Sequence, residues 1–371
     1  MDNIERKIIR RLHEAGAQSK RELMDALHVR QNSVIDSCRS MERAGLLLRT
    51  RPDQVRNVPI RLNPAKFCFL GLEHLYNALE IVLIDGEGKI AAEHLSELPQ
   101  EHCFGEARLT EIIRIIRRFT EEHGAFRVLG LGFADLGIVD PGQGISFFSV
   151  HVREWRDMPI KIRCEKELGI PCEILDRIDA SCMEYVHARD KKTEALLQVW
   201  VTSGIGLSLM RNGDFWGRDI PCSCQLGHTV VKRNGAPCRC GNRGCLESEA
   251  GIAALLAQAR QLVPDEIRSA EELVRRAESG DRACAMVLRE GGEMLGLSLA
   301  NIVNLTGISS IAIRSPLCTG NGIYLDGVVS ELKKNVIYPF NRTISVAVND
   351  QKSNASALGA ALFMRKKFFD S

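Results

Sequence analysis

Three thiols and one imidazole fall within a short run, Gly227-His228 followed by Cys238-Arg239-Cys240-Gly241-Asn242-Arg243-Gly244-Cys245-Leu246-Glu247. Sulfur and nitrogen donors in a group of four suit a tetrahedral zinc ion, and such a set leaves no position for a hydrolytic water. His228, Cys238, Cys240 and Cys245 are therefore expected to hold a structural zinc. Gly241 and Gly244 fit, because the chain between Cys240 and Cys245 must turn back tightly and glycine reaches positive φ without a Cβ penalty. Cys222 and Cys224 lie just upstream and either could replace one of the four ligands. A loop rich in reduced thiols is the alternative reading.

The second chemistry is cationic. Residues 1–66 carry fourteen Lys or Arg against eight Asp or Glu, a balance of +6 that leaves −4 for the rest of a chain whose total is +2. A basic end of this kind points to a polyanionic partner. Ile4, Ile8, Ile9 and Leu12 recur at helical spacing, with Gly16 closing the helix. Ser19 and Glu22 form a capping box that starts a second helix through Leu27. A third, from about Asn32 to Ala44, turns Val34, Cys38 and Met41 inward. Its outward side then presents Gln31, Asn32, Ser33, Asp36, Arg39 and Arg43. Two short strands, Leu46 to Arg49 and Val58 to Leu62, flank Arg49, Arg51 and Arg56. Three helices and a basic wing read as a winged helix-turn-helix over residues 1–62. The side chains expected to meet double-stranded DNA are Gln31, Asn32, Ser33, Arg39, Arg43, Arg49, Arg51 and Arg56. A small three-helix interaction domain with a charged face is the bland alternative. Asn63-Pro64-Ala65-Lys66 is a short linker stiffened by Pro64.

At 371 residues, 45 % apolar and 26 % charged, the chain has the composition of a soluble protein of two or three domains. No apolar run approaches the roughly 20 residues that cross a bilayer, and charges sit where a signal peptide needs its apolar segment. A cytoplasmic location without membrane contact is expected. There a reducing medium keeps most of the 13 cysteines as thiols.

From Phe67 onward apolar β runs alternate with helical segments. Strands are expected at Cys68 to Leu72, Leu79 to Asp85, Ile90 to Leu95, Val128 to Phe133, Cys172 to Leu175, Leu196 to Val201, Gly206 to Met210, Ile308 to Ile313 and Ile344 to Val348. Helices are expected near Leu109 to His123, Trp155 to Leu168, Asp179 to Ala188, Gly251 to Gln261, Ala270 to Ser279, Ala283 to Val303, Val328 to Val336 and from Ala355. Two α/β halves are implied.

Together with the cysteine loop, the motifs Gln225-x-Gly227-His228, Gly130-Leu131-Gly132, Gly137-Ile138-Val139-Asp140-Pro141, Trp155, Gly204-Ile205-Gly206 and Ala357-Leu358-Gly359-Ala360 resemble the ROK family, which contains sugar kinases and sugar-responsive transcription regulators. The resemblance covers nearly the whole chain. It implies an α/β fold in which a winged helix-turn-helix precedes a two-lobed, actin-like or ribonuclease-H-like sugar-kinase domain over residues 67–371, the zinc loop spanning 222–247.

It also marks what has changed. Kinases of the family cradle ATP phosphates on Gly-Gly-Thr after a strand, where this chain has Glu73-His74-Leu75-Tyr76-Asn77, and a second glycine cluster falls on Ile313-Arg314-Ser315-Pro316. Aligned on Pro171 and on Asp179-Ala180, the family's catalytic aspartate falls on Arg177, which stays protonated and cannot accept a proton; a one-residue slip brings Asp176 there instead. The family's sugar-binding glutamate becomes Gln225, while Glu247 is retained. The expectation is a kinase-dead effector cleft built from Asp135, Asp176, Arg177, Gln225, His228 and Glu247, with Arg177 favouring a sugar phosphate or sugar acid. Alternatively Arg177 simply pairs with Asp135, Asp176 or Asp179. The reading is a transcription regulator of carbohydrate genes, acting as a homodimer or homotetramer. The competing reading is a sugar kinase with an accessory DNA-binding head.

Overall fold

The structure, a computed structural model, describes residues 3–51, 58–98, 104–149, 152–189, 195–202, 204–218, 220, 222–263, 266–320, 322–350 and 353–370. The chain begins with helices α1 (Asn3–Ala15), α2 (Lys20–Leu27) and α3 (Gln31–Arg43), then strands β1 (Leu47–Arg49) and β2 (Ile60–Leu62). The capping box at Ser19 and Glu22 is present, and α3 turns Val34, Ser37, Cys38 and Met41 into the interior. β1 and β2 pair antiparallel, Leu47 opposite Leu62. Asn63 caps a single 3-10 turn at Pro64–Lys66, which closes the connection.

There follow β3 (Cys68–His74), β4 (Ala78–Ile84), β5 (Ile90–Glu97), α4 (Gly105–Glu122), β6 (Val128–Asp135), β7 (Ile138–Asp140), β8 (Ile145–Phe148), β9 (Arg156–Met158), α5 (Ile160–Leu168), β10 (Cys172–Asp176) and α6 (Arg177–Ala188). The remainder is β11 (Ala195–Val201), β12 (Ile205–Arg211), β13 (Asp214–Phe215), α7 (Leu246–Ala250), α8 (Ile252–Leu262), α9 (Ala270–Glu278), α10 (Arg282–Thr306), β14 (Ser310–Arg314), α11 (Ile323–Asn335), β15 (Ser345–Val348) and α12 (Ala355–Asp370). One expectation fails. Trp155 to Leu168 is not one helix, because Arg156–Met158 pairs with β8 and Pro159, with fixed φ, stands before a helix that starts only at Ile160.

The chain divides into two compact units, residues 1–181 with 354–371 and residues 182–353, the boundary falling inside α6. In the first unit the sheet order is β10-β6-β3-β4-β5, with β10, β6 and β3 parallel and β4 and β5 antiparallel. α12 lies so close to it that a Cβ on Gly71 would sit 1.9 Å from the Ala357 carbonyl oxygen, and one on Gly132 2.2 Å from that of Ala360. α4 packs Leu109, Ile112 and Ile116 into a core with Leu70, Leu72 and Phe133. The head belongs to this unit: the His13 ring on α1 stacks on Phe369 of α12 at 3.8 Å and 6°. Phe369 in turn meets Phe67, Phe69 and Phe368.

The second unit repeats the pattern in the order β13-β12-β11-β14-β15, with β11, β14 and β15 parallel. Leu197, Val199, Ile311 and Ile313 pack against Leu295, Leu299, Val328 and Leu332 of α10 and α11. Among the described residues no helix is long and apolar enough to cross a membrane.

Candidate functional site

The metal candidates converge. The ligand atoms of His228, Cys238, Cys240 and Cys245 all lie within 4.8 Å of one another, with His228 Nδ1 3.6 Å from Cys238 Sγ and Cys240 Sγ 3.7 Å from Cys245 Sγ. Zinc bonds of about 2.0–2.3 Å in a tetrahedron place neighbouring donors about 3.3–3.8 Å apart, the spacing that the His228–Cys238 and Cys240–Cys245 pairs already have, so the donor set suits that ion once the wider pairs draw in. Cys222 and Cys224 are not members of the cluster; Cys224 Sγ lies 3.9 Å from the Trp216 carbonyl oxygen.

Local backbone chemistry sets this geometry. His228 ends a 3-10 turn, Leu226–His228, and Cys245 stands immediately before α7. Between them the amide of Cys238 bonds Asn242 O at 2.8 Å and that of Gly241 bonds Cys238 O at 3.0 Å. Gly244 has φ 73°, and a Cβ there would lie 1.7 Å from Lys232 O. Sequence reasoning missed Glu249. It is buried, its Oε1 accepts the Ala236 amide at 2.5 Å, and its Oε2 meets Lys232 Nζ at 3.6 Å, so it braces the loop from α7. Glu247 is occupied similarly: its Oε2 accepts the Ile205 amide at 2.9 Å. Gln225 is exposed and bonds Ser223 O at 3.3 Å.

Asp135, expected to face a ligand, does not. It is fully buried at the end of β6, and its oxygens accept from His74 Nδ1 at 2.8 Å, Ser146 Oγ at 2.6 Å, Trp155 Nε1 at 3.2 Å and the Gly137 amide at 3.2 Å. Burial alone would raise its pKa; the bonds from His74, Ser146 and Trp155 prevail and hold it below the usual carboxylate value. The other His74 nitrogen, Nε2, receives Arg108 Nε at 2.8 Å. A guanidinium can only donate, so Nε2 is the bare nitrogen and the ring proton sits on Nδ1, toward Asp135. Burial, above all, keeps that imidazole neutral by lowering its pKa.

Arg108 is itself fully buried and also donates to Leu98 O at 3.1 Å, Leu75 O at 3.1 Å and Tyr76 O at 2.8 Å. The turn after β3 is thus gripped by side chains. Arg108 escaped sequence reasoning, although a cation four residues before Ile112 on an apolar helix stripe was a visible signal.

Asp176 ends β10 directly opposite Asp135 in the register, and its Oδ1 accepts the Ile178 amide at 2.7 Å. Burial, with Asp135 adding, raises its pKa to about 6. Arg177 opens α6 and is half-buried. The six expected effector residues therefore divide between the units, Asp135, Asp176 and Arg177 in the first, Gln225, His228 and Glu247 in the second. At the second expected glycine cluster, Arg314 ends β14 with its guanidinium 4.6 Å from the centre of the Trp200 ring, and Ser315 Oγ caps the following turn.

On the head, Gln31, Asn32, Arg39, Arg43, Arg49 and Arg51 are exposed and Ser33 is half-buried; Arg56 lies outside the described residues. α3 has no side-chain cap at its N-terminus. Arg39 lies 3.8 Å from Asp36, and Arg49 bonds Glu42 at 3.2 Å, so part of the cationic face is already compensated within the head.

Residues 70–367 match the ROK family. The xylose repressor of Bacillus subtilis (strain 168) is 25 % identical over 292 residues, 78 % of this chain and 74 % of that protein. The DNA-binding transcriptional repressor Mlc of Escherichia coli (strain K12) is 25 % identical over 305 residues, 79 % of this chain and 75 % of that protein. Among solved structures, a ROK family transcriptional regulator described as a homologue of the E. coli Mlc protein covers 100 % of this chain and 98 % of that one, with TM-score 0.83 at 19 % identity. The ROK hexokinase from Thermus thermophilus covers 81 % of this chain and 99 % of that one, with TM-score 0.70 at 21 % identity. The mixed α/β sheets are those of the ROK sugar-kinase fold. With its family matched across most of its length, the chain belongs to the ROK family.

Proposed function

We propose that the protein is a ROK-family transcription regulator that binds operator DNA through its N-terminal winged helix and responds to a sugar or anionic sugar derivative. The observation that carries this reading is the exposed α3 face, Gln31, Asn32, Arg39 and Arg43, beside Arg49 and Arg51 on a three-helix head with a two-stranded wing. It agrees with the repressors named among the relatives. The turn after β3 argues in the same direction, since the Leu75 amide is spent on Ala78 O at 2.9 Å and Arg108 fixes the Leu75 and Tyr76 carbonyls, where a phosphate cradle needs free backbone amides.

His228, Cys238, Cys240 and Cys245 would hold zinc, which supplies a four-coordinate structural anchor for the loop. Glu249 and Gly244 bring the donor atoms into place. Within the first unit Arg177, half-buried at the start of α6 and next to Asp176, is the cation that would favour an anionic sugar. DNA with two-fold half-sites calls for two copies of the chain.

The test is retention of genomic fragments by the purified protein, followed by titration of the retained operator against salt. Arg39→Ala and Arg43→Ala should each weaken binding and flatten the salt slope by about 1. Unchanged affinity in both variants would sink the DNA reading. One observation keeps the kinase reading in view, namely Asp176, a carboxyl with its pKa raised to about 6 one residue from the expected base position. Phosphate release from ATP in the presence of sugars tests it, and none is expected.

A further inference from the structure

Outside the metal cluster, every described cysteine but two is buried. Burial pushes the Cys68 and Cys318 thiols up to about 12, so they carry almost no thiolate, the form that reacts. The two exceptions share one loop, after β13: Cys222 is exposed and Cys224 half-buried. Exposure and a spacing of two residues are what a thiol pair open to a dissolved reagent requires.

The backbone holds the pair in an uncommon form. Cys222 has φ 60° and Cys224 φ 57°, left-handed values that cost a residue with a Cβ about 1–2 kcal/mol. Such strain persists only where the surroundings enforce it, and it collects at functional positions. Here the enforcement is visible. Ser223, between the two, donates its Oγ to Gly217 O at 2.9 Å and its amide to Ile220 O at 3.3 Å, while Cys224 O accepts the Leu226 amide at 2.8 Å. Residues two apart in a fully extended chain span at most about 7 Å. Residues 222–224 lie in a turn, which shortens that span into the window of about 4.4–6.8 Å that a disulfide needs between Cα atoms.

We infer that Cys222 and Cys224 are a dithiol that small soluble disulfides oxidise, closing a reversible Cys222–Cys224 bridge across Ser223. The two thiols have different parts. Cys222, the exposed one, attacks as thiolate on one sulfur of the small disulfide, forming a mixed disulfide and expelling one small thiol. Cys224 directs its S–H at the Trp216 carbonyl oxygen, 3.9 Å away. It leaves that contact, loses the proton and attacks Cys222 Sγ, and the second small thiol departs. Two protein thiols thus give up two electrons and two protons, and one small disulfide becomes two thiols. No ligand of the metal cluster takes part. Ser223 O also accepts Gln225 Nε2 at 3.3 Å, so closure fixes the anchor of Gln225.

The test is exposure of the full-length protein to oxidised glutathione, followed by alkylation, trypsin and mass spectrometry. Trypsin cuts after Arg218 and Lys232, and peptide 219–232 holds Cys222 and Cys224 with no other cysteine, so it reports on this pair whatever the state of the metal cluster. In the wild-type protein it should become lighter by two hydrogens and regain them with dithiothreitol. Cys224→Ser should stop at the first step, with glutathione held on Cys222. Cys222→Ser should slow thiol loss from the peptide at least about tenfold. The wild-type measurement needs no variant, so a substitution that misfolds leaves the test standing. A wild-type peptide that stays reduced, glutathione retained on wild-type Cys222 without bridging, or thiol loss undiminished in Cys222→Ser would each overturn the inference.

Discussion

Replacing Arg108 with methionine keeps an elongated side chain in α4 and removes every donor. His74 Nε2 and Leu98 O then become buried acceptors without a partner, at roughly 1–3 kcal/mol each. The carbonyls of Leu75 and Tyr76, at a part-buried turn, can turn to water. Breaking one member of a buried charged network typically costs about 3–5 kcal/mol, in line with the sum over two acceptors. At about 2–4 °C per kcal/mol for a unit of this size, Arg108→Met should lower the melting temperature by roughly 6–20 °C. The pH dependence carries the sharper test. In the wild-type protein the His74 pKa is held below its ordinary 6.5, so the folded chain takes up fewer protons than the unfolded one and stability falls as pH drops through that value. In the variant Nε2 is free to take a proton opposite Asp135, which raises the folded pKa and adds stability as pH falls. The deficit measured by calorimetry should therefore be larger near about pH 8 than near about pH 5.5. An equal deficit at both values, or a variant that melts with the wild type, would refute the buried relay.

Four further outcomes follow from the same geometry. Protein purified without chelator should contain one zinc per chain by elemental analysis, Cys240→Ser should lose it and Cys222→Ser should not; a metal-free native protein would remove the centre. Phe369→Ala should cost about 3–5 kcal/mol of first-unit stability, and hydrogen exchange should show α1 opening with α12; protection of α1 unaltered by the change would separate the two helices. Because the folded Asp176 pKa lies above its unfolded value of 3.8, its penalty is absent below about pH 4 and complete above about pH 6. Asp176→Asn should thus raise the unfolding free energy from urea titration at neutral pH, by up to about 3 kcal/mol, and leave it unchanged near pH 4. Glu249→Gln should retain zinc more weakly, detected as faster metal loss to a chromogenic chelator, since the loop would keep its ligands but lose the charged brace.

The parts legible in the sequence are those governed by local rules. Ser19 and Glu22 announce a helix start through spacing alone, and α3 shows its buried stripe in Val34, Cys38 and Met41. The Cys238, Cys240 and Cys245 spacing gave the donor cluster, with His228 brought in by a tight turn. What escaped depends on partners distant in sequence. Arg108 finds His74 across 34 residues, and Asp135 is closed off by Ser146 and Trp155 through loops that no periodicity describes. β9 is three residues beside a proline, too short for alternation to show. The pairing of His13 with Phe369 joins opposite ends of the chain, so a reading that separates head from lobe at residue 62 has no means of anticipating it.

α12 has a consequence for synthesis. Its residues, 355–370, are made long after β6, yet they cover β3 and β6 and seat against α1. On the ribosome β3 and β6 must wait, with one face of their sheet bare, until residues 355–370 have emerged. A chain assembled in this way seats α1 only once residues 182–353 have also been made, so partial translation products should be cleared rather than accumulate.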